Sequence, residues 1–175
     1  GQRLLEIMNF QPYEYVLNYE EQKHQFGHRT FNSDDLNAFF VALQRIYRQG
    51  GLEQAFRIHP EIPGIQGRII SFREAFTQEP FPDRTHKHLA NPQRGSSAKR
   101  INMFLRWMVR DAKKGVDFGI WESISSSELY LPLDVHTATN ARKLELLHRK
   151  QDDWKALEEL MTGLREFDPA DPVKY

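Results

Sequence analysis

Ser96-Ser97-Ala98-Lys99-Arg100-Ile101-Asn102-Met103-Phe104-Leu105-Arg106-Trp107-Met108-Val109-Arg110 is the stretch whose periodicity decides the fold class. Ile101, Phe104, Leu105, Met108 and Val109 recur at intervals of three and four, which puts them on one face of a helix. Ser96 or Ser97 stands where an N-cap belongs. The spacing predicts a helix from there to about Ala112, with Lys99 in its first turn. Upstream, residues 78–96 contain Pro80, Pro82, Pro92 and Gly95 and cannot form a long helix.

The same helical period extends outward in both directions. Residues 2–9 and 12–20 read as short helices broken at Pro12. Ser33-Asp34-Asp35 caps a helix through Tyr47, with Leu36, Phe39, Phe40, Leu43 and Ile46 on its apolar face, and Gly50-Gly51 ends it. A short helical piece follows at 52–58, then a helix at 65–77 whose buried stripe is Ile65, Ile69, Ile70, Phe72 and Phe76. Beyond the central helix, Gly115 and Gly119 mark a break before the segment 121–130. Pro132 sets the entry to a helix from about Val135 to His148 with Asp134 at its N-cap, and a last helix starts at Asp152-Asp153 and runs to Phe167. No convincing strand interrupts this pattern, so the expected fold is all-α.

The chain of 175 residues, 39% hydrophobic and 12% aromatic, is sufficient for one core and is read as a single helical domain, 1–175. It has no cysteine, which excludes disulfides, thiolate metal sites, cysteine nucleophiles and cysteine-held iron–sulfur clusters. No apolar run approaches the roughly 20 residues of a membrane span, and the start lacks the layout of a signal peptide. No membrane partner and a cytoplasmic location are expected. The uncapped opening at Gly1-Gln2-Arg3-Leu4 and the abrupt stop at Lys174-Tyr175 lead to the expectation of a fragment of a longer protein.

Equal numbers of acidic and basic residues, 24 each, hide an asymmetry. Residues 1–83 carry eight Lys/Arg against eleven Asp/Glu, and residues 111–175 carry nine against thirteen. Between them, 84–110 holds Arg84, Lys87, Arg94, Lys99, Arg100, Arg106 and Arg110 without one acid. Such a block fits contact with a polyanion's phosphates; the competing expectation is a solvated face balanced by acids elsewhere in the fold.

Two residues in this pattern suggest chemistry. Lys99 and Asp134 stand on the entry turns of successive long helices, as a nucleophilic amine and its electrostatic partner could. A cation is disfavoured in the first turn of a helix, beside the positive end of the macrodipole and next to Arg100, which favours a neutral, nucleophilic amine. The plainer readings are a surface lysine and an ordinary N-cap. His136 reads first as a surface or core histidine. Phe104, Trp107, Phe118 and Trp121 could form the aromatic wall for an extruded base, against the plainer reading as core. The cluster Asp83-Arg84-Thr85-His86-Lys87-His88 mixes its histidines with cations and is a poor metal site, so no metal is expected.

The segment Asn91-Pro92-Gln93-Arg94-Gly95-Ser96-Ser97-Ala98-Lys99-Arg100-Ile101-Asn102, followed by Leu133-Asp134-Val135-His136, resembles the helix-hairpin-helix DNA glycosylase superfamily. The resemblance covers about residues 90–150. The 35-residue interval from Lys99 to Asp134 is closest to the archaeal 8-oxoguanine branch. One hairpin glycine, Gly95, stands where two are usual, and Thr139 stands where an arginine is. The stretch Lys99–Arg110 and the tail Phe167-Asp168-Pro169-Ala170-Asp171-Pro172-Val173-Lys174-Tyr175 look closer still to an uncharacterised bacterial family related to that superfamily.

The resemblance implies a helical bundle of the glycosylase type and a DNA glycosylase with abasic-site lyase activity, excising a damaged base such as oxidised guanine without a cofactor. It makes Lys99 the Schiff-base amine and Asp134 its partner. The loop from Pro92 to Gly95 would hold a DNA phosphate through backbone N–H groups. Together with the basic block, it nominates Arg94, Gly95, Ser96, Ser97, Arg100, Arg106 and His136 for nucleic-acid contact, with DNA the expected partner and RNA the alternative. Two other function classes stay open: a non-catalytic helical nucleic-acid-binding domain, and a protein-interaction module.

Overall fold

A computed structural model describes residues 1–22 and 24–174, so Tyr175, the last residue of the tail compared above, lies outside the described residues. The fold is all-α in class, with one small hairpin. The chain divides into two compact units, Gly1–Arg57 with Ser71–Leu89, and Ile58–Ile70 with the chain from Ala90 on. Among the described residues no helix is long and apolar enough to cross a membrane.

The first unit opens with helices α1 (Gln2–Ile7) and α2 (Pro12–Leu17). They are separated where predicted, by Asn9 and Phe10 in the left-handed region and by Pro12, whose fixed φ suits the first helical position. Strands β1 (Gly27–His28) and β2 (Phe31–Asn32) then pair antiparallel, Gly27 opposite Asn32 and His28 opposite Phe31. The sequence pattern shows no strand here because two residues are too few to display an alternation.

Helix α3 (Ser33–Arg48) starts one residue earlier than its serine implies. Asn32 is the N-cap, and its side chain accepts the Asp35 N–H at 3.0 Å while the Asp35 carboxylate accepts the Asn32 N–H at 2.9 Å. This reciprocal capping box satisfies two N–H groups that a helix start leaves orphaned. Val16, Tyr19, Leu36 and Phe40 form a buried cluster, against which Tyr15, Phe31, Leu43 and Tyr47 pack. Short helix α4 (Leu52–Ala55) follows.

Asp35 also organises the proline-rich loop. Its carboxylate is fully buried and accepts the Thr85 hydroxyl at 2.7 Å, with Arg84 at 3.4 Å and His88 at 3.3 Å. These three partners come from the 3₁₀ turn Asp83–His88, so that part of the irregular stretch expected at 78–96 is a clamp on α3. Burial alone would raise the Asp35 pKa; hydrogen bonds from the Asn32 N–H and Thr85, with the cations nearby, outweigh it and hold the group below its usual range.

Helix α5 (Gly64–Phe76) carries the division between the units within its length. All five predicted stripe residues, Ile65, Ile69, Ile70, Phe72 and Phe76, are buried. In the first unit Phe72 stacks on Phe56 at 4.3 Å between centroids. In the second, the buried Arg68 donates to Glu128 at 3.2 Å and to the Ser123 carbonyl at 3.1 Å, fastening the segment 121–130.

The second unit is built on α6 (Lys99–Val109), α7 (Val135–Lys143) and α8 (Trp154–Phe167). Leu105, Leu129, Leu133, Leu147, Leu157, Leu160 and Met161 fill its core. Asp153 caps α8, its carboxylate accepting the Ala156 N–H at 3.0 Å while also pairing with Arg149, whose hydrogen bonds hold its pKa down to about 2. Helix α7 ends at Lys143, short of the predicted His148, because Glu145 takes a left-handed conformation with φ of 59°. Helix α6 is likewise shorter than predicted. Ser96 forms a turn with its hydroxyl on the Ala98 N–H at 3.2 Å, so neither serine is the N-cap and Ala98 takes that position.

At the other end of α6, Arg110 donates to both Asp171 oxygens and, at 2.8 Å, to Asp117, whose side chain is 3% exposed. Arg110→Met is expected to lower unfolding stability by about 2–3 kcal/mol, because it leaves Asp117 buried with one distant cation. An unfolding free energy changed by less than about 0.5 kcal/mol contradicts this role for Arg110.

Candidate active site

The geometry begins with two helix entries. Asp134 is the N-cap of α7, in extended conformation, and its Oδ1 accepts the Thr137 N–H at 2.8 Å. Its other oxygen, Oδ2, accepts the Lys99 ammonium at 2.8 Å. Lys99 is the first residue of α6, so residues 35 apart in sequence meet at the starts of two helices. One carboxylate oxygen thus serves as the N-cap of α7 and the other meets Lys99.

The pair is open to solvent, with the lysine side chain 45% and the aspartate 30% exposed. The hydrogen bond from Lys99, then that from the Thr137 N–H, holds the Asp134 carboxyl far below the usual carboxylate range. At neutral pH Asp134 is thus a fixed anion and a poor proton acceptor, suited to stabilising positive charge beside it.

A pH dependence follows from that depression. The stabilisation is complete above the unfolded pKa of about 3.9 and is lost as pH falls through the lower folded value. Denaturation of the wild type and Lys99→Met between pH 2 and 6 is expected to show a wild-type advantage that shrinks on acidification. An advantage that grows below pH 4 contradicts the assignment.

The hairpin-like loop is tied to its own unit. Trp154 donates its N–H to the Gly95 carbonyl at 2.9 Å, and Ser96 bridges Asp153. Gly95 turns the chain with φ of 86°, a conformation glycine adopts freely. The N–H groups nominated for phosphate are engaged inside the loop. Gln93 donates to the Asn91 side chain, Arg94 and Ser96 to the Asn91 carbonyl, and Gly95 to the Pro92 carbonyl. At the start of α6, Ile101 and Asn102 both donate to the Ala98 carbonyl. The Lys99 and Arg100 amides precede the first intrahelical bond.

The basic block is divided in the same way. Arg84 faces Asp35, Lys99 pairs with Asp134, Arg110 pairs with Asp117 and Asp171, and Arg106 lies 3.6 Å from Asp117. Lys87, Arg94 and Arg100 are exposed. Much of the charge asymmetry is thus an artefact of sequence order, neutralised by acids brought from elsewhere in each unit. Arg94 and Arg100 are the nominated cations left facing solvent beside the loop and the start of α6. Ser97 directs its hydroxyl toward the Leu133 carbonyl at 3.5 Å, and His136 is exposed on the first turn of α7.

Of the four aromatic candidates, Phe104 and Trp121 pack edge to face at 5.3 Å, and Trp121 is buried. Trp107 is 39% and Phe118 60% exposed, and the Phe118 N–H donates to the Trp107 carbonyl. Trp107 lies eight residues along α6 from Lys99, about 12 Å at 1.5 Å per residue, and does not stand over the lysine–aspartate pair.

The sequence reading missed Asn102. It is 1% exposed on the buried stripe of Ala98, Leu105 and Val109, and its side chain donates to the Ser97 carbonyl at 3.0 Å. A polar residue on an otherwise apolar face, three positions after Lys99, was the available signal.

Over residues 1–175 the chain matches a family described as a protein of unknown function (DUF2400), and it belongs to that family. No curated protein and no solved structure matches it.

Proposed function

We propose that this DUF2400 member is a DNA-repair glycosylase with associated abasic-site lyase activity, acting on a damaged base such as oxidised guanine in a helical bundle of the helix-hairpin-helix glycosylase type. The observation that carries the reading is the 2.8 Å approach of the Lys99 amine to the Asp134 carboxylate across two helix starts. A spacing drawn from the sequence becomes a pair of groups in contact, with the acid held anionic and the amine accessible.

Loss of a base leaves positive charge on the sugar, and Asp134 supplies the fixed negative charge that stabilises it. Lys99 gives one ammonium proton to the departing base, and the lone pair this frees on its nitrogen bonds to the anomeric carbon as the glycosidic bond breaks and its electron pair leaves with the base. The three ammonium protons account for the products. One departs on the base, one goes to the ring oxygen as the sugar opens, and one stays on the protonated imine. That imine acidifies the neighbouring sugar C–H, and elimination of the 3′ phosphate cleaves the strand. Arg94 and Arg100 supply phosphate contact, and the damaged nucleotide leaves the duplex to reach the open pair.

The neutralised basic block favours a second reading, a nucleic-acid-binding domain whose lysine–aspartate pair only joins two helices. The test is incubation with duplexes carrying 8-oxoguanine or an abasic site, with strand products resolved on a denaturing gel. The glycosylase reading expects cleavage 3′ to the lesion. Salt-sensitive binding without cleavage supports the second reading and overturns the first.

A further inference from the structure

The residue preceding Lys99 is held in a conformation its side chain disfavours. Ala98 has φ of 48° and ψ of 37°, the left-handed region, and is 1% exposed. An L-residue pays a steric penalty there, and such strain persists only where the surroundings over-determine it. Lys99 is the first helical residue, where the backbone has the least intrahelical support, so the turn before it sets the direction of its side chain.

The groups that hold this turn are few. The Ala98 N–H donates to Ser96 Oγ at 3.2 Å, and the Ala98 carbonyl accepts the Ile101 and Asn102 N–H groups at 2.9 Å each. The Asn102 side chain donates to the preceding carbonyl, that of Ser97, at 3.0 Å. Asn102 therefore holds two consecutive carbonyls, one with its backbone and one with its side chain. Among the described residues its buried Oδ1 has no partner. A leucine in that place would avoid a buried amide oxygen without a donor, so the carboxamide sacrifices stability for the bond it donates. The same turn reaches the other half of the site, through Ser97 Oγ toward the carbonyl of Leu133, the residue before Asp134.

We propose that Asn102 is a positioning residue: its side-chain bond to the Ser97 carbonyl holds the left-handed turn at Ala98 and so keeps Lys99 facing Asp134. The assignment rests on the reading of Lys99 and Asp134 as a working pair. Asn102 touches no substrate and acts through the lysine.

The test compares the full chain with Asn102→Leu, which keeps volume and removes the donor, with Asn102→Asp, which keeps shape and replaces it by an acceptor, and with Asn102→Leu combined with Ala98→Gly. Two readouts are followed: the NMR titration of the Asp134 carboxyl, and the rate of borohydride-trapped imine on an abasic-site duplex against its half-saturation. Both single variants are expected to shift the Asp134 titration toward the ordinary carboxylate range. They are also expected to slow trapping at saturating DNA about tenfold with half-saturation unchanged. Adding Ala98→Gly is expected to restore both, because glycine takes the left-handed turn without a clamp. An unchanged Asp134 titration in either folded variant, or no recovery with glycine, overturns the proposal. If the wild type traps no imine while the titration follows this pattern, Asn102 keeps its role and the glycosylase reading alone falls.

Discussion

Lys99→Gln is expected to abolish imine formation, a loss of at least about 10³-fold, while leaving the fold and duplex binding in place. Glutamine retains an N–H donor for Asp134 and most of the lysine's reach, but its amide nitrogen is not a nucleophile. The companion variant Asp134→Asn isolates the charge. Asparagine caps a helix as well as aspartate does, so the bond from the Thr137 N–H that starts α7 survives. The anion beside the developing positive charge does not. Asp134→Asn is therefore expected to slow base release by about 10²- to 10³-fold, far more than the modest loss of stability from the partly exposed ion pair explains. Single-turnover cleavage of an 8-oxoguanine duplex measures both. If Asp134→Asn loses activity only in proportion to lost stability, Asp134 is a cap and nothing more.

The largest expected effect on stability lies at Asp35. Asp35→Ala removes half of the capping box of α3 and the acceptor of Thr85, and leaves Arg84 and His88 without their buried partner. Losing half of the cap, the buried acceptor of Thr85 and the partner of Arg84, which is itself 43% exposed, costs about 2–4 kcal/mol, a large fraction of the stability of an ordinary domain. Thr85→Val, which takes away one hydroxyl donor, is expected to cost about 1–2 kcal/mol. Urea denaturation ranks the two. Equal costs would mean that the hydroxyl, rather than the ion cluster, fastens the 83–88 turn to α3.

The parts of the fold legible in sequence are those fixed by local chemistry. The stripe of α5 and the caps at Asp134 and Asp153 follow from periodicity and short-range hydrogen bonding, and each lies where its residues predict. The misplaced start of α6 has an instructive cause. A serine before an apolar run predicts an N-cap, but Ser96 spends its hydroxyl on the Ala98 N–H while its backbone pairs with Asp153. That long-range contact moves the helix start to Lys99, and nothing near residue 96 announces it.

The site divides along the same line. Lys99 and Asp134 are nominated by spacing and resemblance. Their contact required the fold, as did the discovery that Arg84, Arg106 and Arg110 face acids from distant segments. A run of like charge in sequence says where cations are, and only tertiary structure says which of them is left for a partner. Arg94 and Arg100 are the nominated arginines that keep that availability.

The proposed chemistry requires that the Lys99 amine become covalently joined to DNA. The most direct measurement is borohydride reduction of the protein on an abasic-site duplex, followed by proteolysis and mass spectrometry of the cross-linked peptide. A deoxyribose-derived adduct on Lys99, absent from Lys99→Gln, is expected. An adduct on another amine, or none while DNA binding persists, contradicts it.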